Sequence, residues 1–194
     1  ADMNYIIGHM IGELTASHEY IVGQGGPPRT YYDRISTGLL GADLKPDRKA
    51  GLYRFEKIIS GSSWRKEYRN PLLAPHIDLN DGDYLVAING RDVTTSENCY
   101  SYLENRAGEK IELTVSPAEN RDTTMTYLVE TLSSEYRLRY HDEIEKNYEY
   151  VDRKSEGRIG YMHLADMDEM GISQFEKAFR AERYRDGLII DVRG

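Results

Sequence analysis

The spacing of apolar positions changes several times along the chain, and each change marks an element. Ile6, Ile7, Met10, Ile11 and Leu14 recur every three or four residues, the single stripe of a helix over residues 3–16. Asp2 stands where a cap belongs, and Gly8 and Gly12 lower the propensity while permitting a close neighbour. The run Gly23-Gln24-Gly25-Gly26-Pro27-Pro28 cannot continue that helix and reads as a loop or domain boundary. From Tyr31 the pattern turns to strands. Residues 36–44 form a glycine-bearing loop running into a strand, and residues 45–50 a charged turn. Residues 52–59 then set Leu52, Arg54, Glu56 and Ile58 against Tyr53, Phe55, Lys57 and Ile59. Residues 61–79 have no clean period and read as a connector holding a short helix.

Turn chemistry is densest in the middle. Asp81-Gly82-Asp83 is a turn, Tyr84 to Ile88 a short buried strand, and Asn89-Gly90 a hairpin signal, because a type I′ turn needs two residues that accept the left-handed region. Val93 resumes the apolar pattern. Cys99, Tyr102, Leu103 and Ala107 lie at helical spacing over residues 96–107, with Gly108 placed to end that helix. Residues 110–116 alternate Ile111, Leu113 and Val115, Asn120-Arg121-Asp122 turns, and residues 123–131 return as the second strand of a hairpin. A helix capped by Ser133 or Ser134 then runs to about Arg153, with Tyr140, Ile144, Tyr148 and Val151 on one stripe, and Ser155-Glu156-Gly157 ends it. A strand over 158–164, a helix over 171–185 with Phe175, Ala178 and Phe179 inward, and an apolar strand over 188–192 follow. That order predicts two parallel strands joined by a right-handed crossover.

Composition narrows the function classes. The chain has 194 residues, enough for one or two domains, and a formal net charge of −8. A polyanionic partner needs a basic surface, so nucleic acid is excluded as a partner. Sixteen Tyr against three Phe and one Trp suggest many rings with a polar tip near water. The lone Cys99 rules out an internal disulfide and a multi-cysteine metal site. No window approaches the roughly 20 apolar residues of a membrane span. The first residues show no signal-peptide pattern, and a removed export signal stays open.

Chemistry-bearing residues are few. Adjacent side chains on a helix point about 100° apart, so Ser17-His18 alone reads as a helix-end hydroxyl and a surface imidazole. His9 and His18 fall on opposite helix faces, which argues against a shared metal. His141 and Glu145, four apart, read as a solvated pair on a charged face. His163 reads as structural, Cys99 as core, and Asp81 and Asp83 as turn residues. The loop Gly38, Leu39, Leu40, Gly41 has glycines that let the backbone approach a ligand, and is equally an ordinary loop before a strand.

The stretch Gly82-Asp83-Tyr84-Leu85-Val86-Ala87-Ile88-Asn89-Gly90, with its preceding strand and following helix and strand, resembles a PDZ domain of the bacterial and archaeal peptidase type. The flanks, Gly12-Glu13-Leu14-Thr15-Ala16-Ser17-His18-Glu19-Tyr20 and Gly157-Arg158-Ile159-Gly160-Tyr161-Met162-His163-Leu164, resemble the tricorn protease family. The resemblance implies an α+β chain in three parts. Residues 1–28 end a helical subdomain, residues 29–131 form a PDZ-like, partly open β-barrel with helices, and residues 132–194 open an α/β (βαβ) catalytic subdomain. In that family a Ser-His-Ser-Glu tetrad hydrolyses peptides. By resemblance His18 is the general base and Ser17 orients it, while the nucleophile and the Glu lie beyond position 194. Asp191-Val192-Arg193-Gly194 resembles the strand entering a glycine-rich oxyanion loop, with Gly194 its start. Gly38, Leu39, Leu40 and Gly41 match the loop that captures a peptide's terminal carboxylate. Peptide substrates, no cofactor or metal and a homo-oligomeric full-length protein are implied. So is a cytoplasmic location, or a periplasmic one if an export signal preceded the chain. The rival reading is a PDZ adaptor that binds peptide C-termini without cleaving them, which would need neither Ser17-His18 nor the βαβ unit. A third is a homologue without its nucleophile.

Overall fold

The computed structural model describes residues 2–14, 35–63, 65–119, 121–166 and 168–193. The chain forms two compact units, residues 1–35 and 36–194. In the first, helix α1 spans Asp2–Gly12, shorter than the expected 3–16, and residues 15 and 16 lie outside the described residues. Gly12, poor in helix propensity, is its last helical residue. The stripe is there but faces outward: Ile6, Met10 and Leu14 are all exposed.

The second unit is built on an antiparallel sheet of β1 (Ala42–Asp47), β2 (Leu52–Ile58), β3 (Tyr84–Ile88), β4 (Arg91–Asp92), β5 (Lys110–Ser116) and β6 (Met125–Glu130). The order is β1-β2-β3-β5-β6, with β4 paired to β3, so the sheet is open. Strand β3 is buried along its whole length, as its unbroken apolar run predicts. Asn89 and Gly90 both take positive φ, 50° and 73°, and Ile88 pairs with Arg91 across that two-residue turn. The Asp81 to Asp83 turn is stitched to β2: Asp81 Oδ1 accepts from the Ile58 N–H at 2.6 Å, and Phe55 N–H donates to the Asp83 carbonyl at 2.8 Å. Phe55, Leu85, Val93, Leu103, Leu113 and Val115, each essentially inaccessible, make the core.

Three expectations shift here. Strand β1 carries on through Lys45 and Pro46, so the charged turn begins only after Asp47, whose carboxylate accepts the N–H groups of Lys49 and Ala50. The alternation in β2 is broken by a bulge: Asp43 pairs with Lys57 but Leu44 with Phe55, which leaves Glu56 extra. The helix expected over 96–107 is one 3-10 stretch, Cys99–Leu103. Asn98 starts it by accepting the Tyr100 N–H at 3.0 Å, and Asn105 reverses the chain at φ 55°, which leaves no room for a second turn. Cys99 and Leu103 still face the core. The connector over 61–79 carries two further 3-10 turns, Lys66–Tyr68 and Pro71–Leu73.

Helix α2 (Tyr136–Ser155) begins after Ser134, whose Oγ accepts the Tyr136 N–H at 3.2 Å, and ends on Glu156 and Gly157, both at positive φ. Strands β7 (Ile159–His163) and β8 (Gly187–Asp191) are parallel, in register from Ile159–Gly187 to His163–Asp191, with α3 (Glu169–Glu182) between them in sequence. A Cβ on Gly160 would come within 2.8 Å of Glu182 Cβ, so glycine sets how closely α3 packs on β7. Phe179, expected inward, is 43% exposed; it stacks on Phe175 with ring centroids 5.5 Å apart. No helix among the described residues is long and apolar enough to cross a membrane.

Candidate functional site

The loop before β1 is fixed from both ends. Gly38 N–H donates to the Leu103 carbonyl at 2.8 Å, and Leu39 exchanges two backbone bonds with Leu132 at 2.9 and 2.8 Å. Leu40 is 2% exposed and anchors the loop in the core, so its side chain is not presented to a ligand. Gly41 has φ +79°, and a Cβ there would lie 2.5 Å from Asn70 Oδ1. Buried Asn70 explains that contact: its Nδ2 donates to the carbonyls of Gly41 (2.6 Å) and Ile59 (2.7 Å), and its Oδ1 accepts the Leu72 N–H at 2.9 Å. Gly41 N–H donates to Glu135 Oε1 at 2.7 Å in a buried bond. Sequence reading missed both Asn70 and Glu135. The only local hint was Asn70-Pro71, a turn-initiating pair.

Glu135 is also tied to the sheet. Its Oε2 lies 2.7 Å from Arg139 Nη2, and Arg139 Nη1 lies 2.9 Å from Asp43 Oδ1 on β1. A second strap sits about two turns further along α2. Buried Asp142 takes Lys57 Nζ, Ser60 Oγ at 2.7 Å and Lys146 Nζ at 2.9 Å. Burial pushes the Asp142 carboxyl up, but those hydrogen bonds outweigh it and hold it at about 2.

At the carboxyl ends of β7 and β8, the end where parallel sheets carry their sites, five side chains converge. Tyr161 OH donates to Asp191 Oδ2 at 2.9 Å, and Arg193 bonds both Asp191 oxygens, at 2.8 and 2.7 Å. The Arg193 guanidinium holds the Asp191 carboxyl far below the usual range. His163 Nε2 lies 2.6 Å from the Arg193 carbonyl, and its Nδ1 lies 2.7 Å from Tyr140 OH. A carbonyl only accepts, so Nε2 carries the proton and, in the neutral ring, Nδ1 accepts from Tyr140. His163 therefore ties α2 to the segment after β8. Cavities of about 480 and 300 Å³ lie against this cluster, both touching Tyr140 and His163.

The other candidates sort quickly. His141 is not a solvated residue: its side chain is 17% exposed and its ring lies 4.8 Å from that of Tyr68. Burial raises the Cys99 thiol to about 11, which leaves it a core group rather than a nucleophile. Among the described residues no cluster of His, Cys, Asp and Glu is arranged to hold a metal ion. Ser17, His18 and Gly194 lie outside the described residues.

Comparison with known proteins places this geometry. Residues 38–134 match the tricorn protease PDZ domain. A tricorn protease homolog from Saccharolobus solfataricus is 36% identical over 99% of this chain, which covers 17% of that relative. A putative tricorn-like protease C-terminal subunit from Sulfurisphaera tokodaii is 34% identical over 99% of the chain and 21% of its own length. A crystal structure of the tricorn protease matches with a TM-score of 0.78 at 30% identity, over 99% of this chain and 18% of that one. The chain thus spans about a fifth of the length of these proteins. It belongs to the tricorn protease family, and its open antiparallel sheet with the loop at Gly38 to Gly41 is that family's PDZ domain.

Proposed function

We propose that the parent protein is a serine peptidase that hydrolyses peptides, and that this segment supplies its general base and its peptide-guiding domain. The observation that carries the reading is that relatives named as proteases align with 99% of the chain, a span that includes the Gly12 to Tyr20 pattern. In this reading His18 takes the proton of a serine supplied by a later part of the parent chain and returns it to the leaving amine. Imidazole suits the task because its ordinary pKa lies near neutral pH. Ser17 orients the imidazole, a Glu elsewhere completes the tetrad, and Gly194 begins the loop whose N–H groups meet the oxyanion. The PDZ domain holds substrate by its C-terminus at Gly38, Leu39, Leu40 and Gly41, with the peptide added along β1. The parent works as a homo-oligomer in the cytoplasm. Residues 1–28, 29–131 and 132–194 serve as helical, PDZ and catalytic parts.

The test is hydrolysis of a chromogenic peptide by the full-length protein with and without His18→Ala, at matched thermal midpoint. Turnover should fall by roughly four to six orders of magnitude, because members of such a set act as a unit. Ser17→Ala should cost less. Equal rates with and without His18 would remove it from the mechanism and leave the peptide-binding adaptor as the standing alternative.

A further inference from the structure

A peptide C-terminus held in the PDZ manner brings two things to the domain, an extended backbone for a strand edge and a carboxylate for the loop N–H groups. This chain brings both from within itself. Leu132 pairs with Leu39 through two backbone bonds, and three residues later the Glu135 carboxylate sits 2.7 Å from the Gly41 N–H. We propose that Glu135 is the resident occupant of the carboxylate loop, so that a peptide's terminal carboxylate enters only when Glu135 leaves. This rests on the peptide-capture reading above and adds the control of that same site.

The surroundings support exchange rather than a fixed structural bond. Glu135 is 9% exposed, so vacating the loop without a replacement would strand the Gly41 N–H in a buried place. A second carboxylate restores what is lost, because it is the same acceptor with the same charge. Arg139 makes the exchange local. It reaches Glu135 through Nε and Nη2 and Asp43 of β1 through Nη1, so it stays on the strand when Glu135 lets go and meets the incoming charge there. The first turn of α2 is thereby tied to β1 through Arg139 and Asp43. A peptide that captures the loop must also loosen this turn, which links occupancy of the PDZ domain to the helix that packs on β7.

The experiment is fluorescence anisotropy on the 194-residue chain. The probe is a labelled hexapeptide ending in leucine with a free carboxylate, compared with the same peptide amidated. Glu135→Ala should tighten binding of the free-carboxylate probe by roughly tenfold or more, the scale of removing one charge-assisted competitor, and leave the amide unchanged. Arg139→Ala untethers Glu135 but also removes the cation that meets the incoming carboxylate, so it should tighten binding less. Carboxylate-dependent binding of equal strength in the wild type and Glu135→Ala overturns the gate and leaves peptide capture standing. Binding by neither overturns capture and the gate with it. Should Glu135→Ala fail to fold, Glu135→Gln keeps an oxygen for Gly41 while dropping the charge. It must then tighten binding in the same direction, and no change overturns the proposal.

Discussion

At the scale of single residues, the positions that hold the PDZ loop owe their roles to partners distant in sequence. Gly41 must be glycine twice over, for its φ of +79° and for the Asn70 side chain a Cβ would strike at 2.5 Å. Gly41→Ala should therefore destabilise the domain by about 1–3 kcal/mol, read as a drop in the urea midpoint at unchanged slope. An unchanged midpoint would mean that the loop relaxes freely. Asp142 gives a pH signature. Its folded value of about 2 lies below its ordinary 3.8, so it stabilises the fold above pH 3.8 and that contribution fades as pH falls toward 2. Melts of wild type and Asp142→Asn should differ at pH 5 and converge toward pH 2; a gap that stays constant would count against the strap. The sequence showed the turns at Asp81 and Asn89-Gly90 because turn chemistry is local. It hid Asn70 and Glu135 because their loop partners lie 29 and 94 residues away.

At the scale of elements, the hairpins, the long helix and the βαβ unit were legible from period alone, while shorter features were not. The 3-10 stretch carries the same buried Cys99 and Leu103 that a full helix would, so spacing could not separate the two. Phe179 belongs to an apolar stripe, but its burial depends on what lies beyond one face of α3, which periodicity does not encode. Ser17, His18 and Gly194 stand out in the sequence only through family resemblance, and they lie outside the described residues. Helix α2 is the element that joins the PDZ sheet to β7, through Glu135 and Asp142 on one side and Tyr140 on the other. A piece covering residues 35–131 should fold, since it holds the whole core, but melt below a piece covering 35–155. Loss of two charge-assisted buried contacts should lower the midpoint by several degrees. Equal midpoints for the two pieces would show that α2 merely rests on the sheet.

At the scale of the molecule, apolar surface stands uncovered in each unit taken by itself. Strand β8 shows Ile189 at 45% and Ile190 at 46%, Val192 just after it is 54% exposed, and α1 shows Met3, Ile6 and Met10. Exposed apolar strand surface is a template for association. The 194-residue chain should self-associate as concentration rises, and Ile190→Lys should reduce that in sedimentation velocity. A monomer at every concentration for the wild type would argue against β8 as a sticky face.

The two backbone bonds between Leu39 and Leu132 have an evolutionary consequence. They bring positions close to the two ends of the matched span 38–134 side by side, at the roughly 5 Å that paired strands keep. Any host chain that carries such a unit as an insert leaves and rejoins its own path at nearly one point. A module mounted in that way can be gained, lost or traded by recombination without moving the host's cut ends. Selection is then free to vary the guest's recognition surface while the host keeps its own architecture.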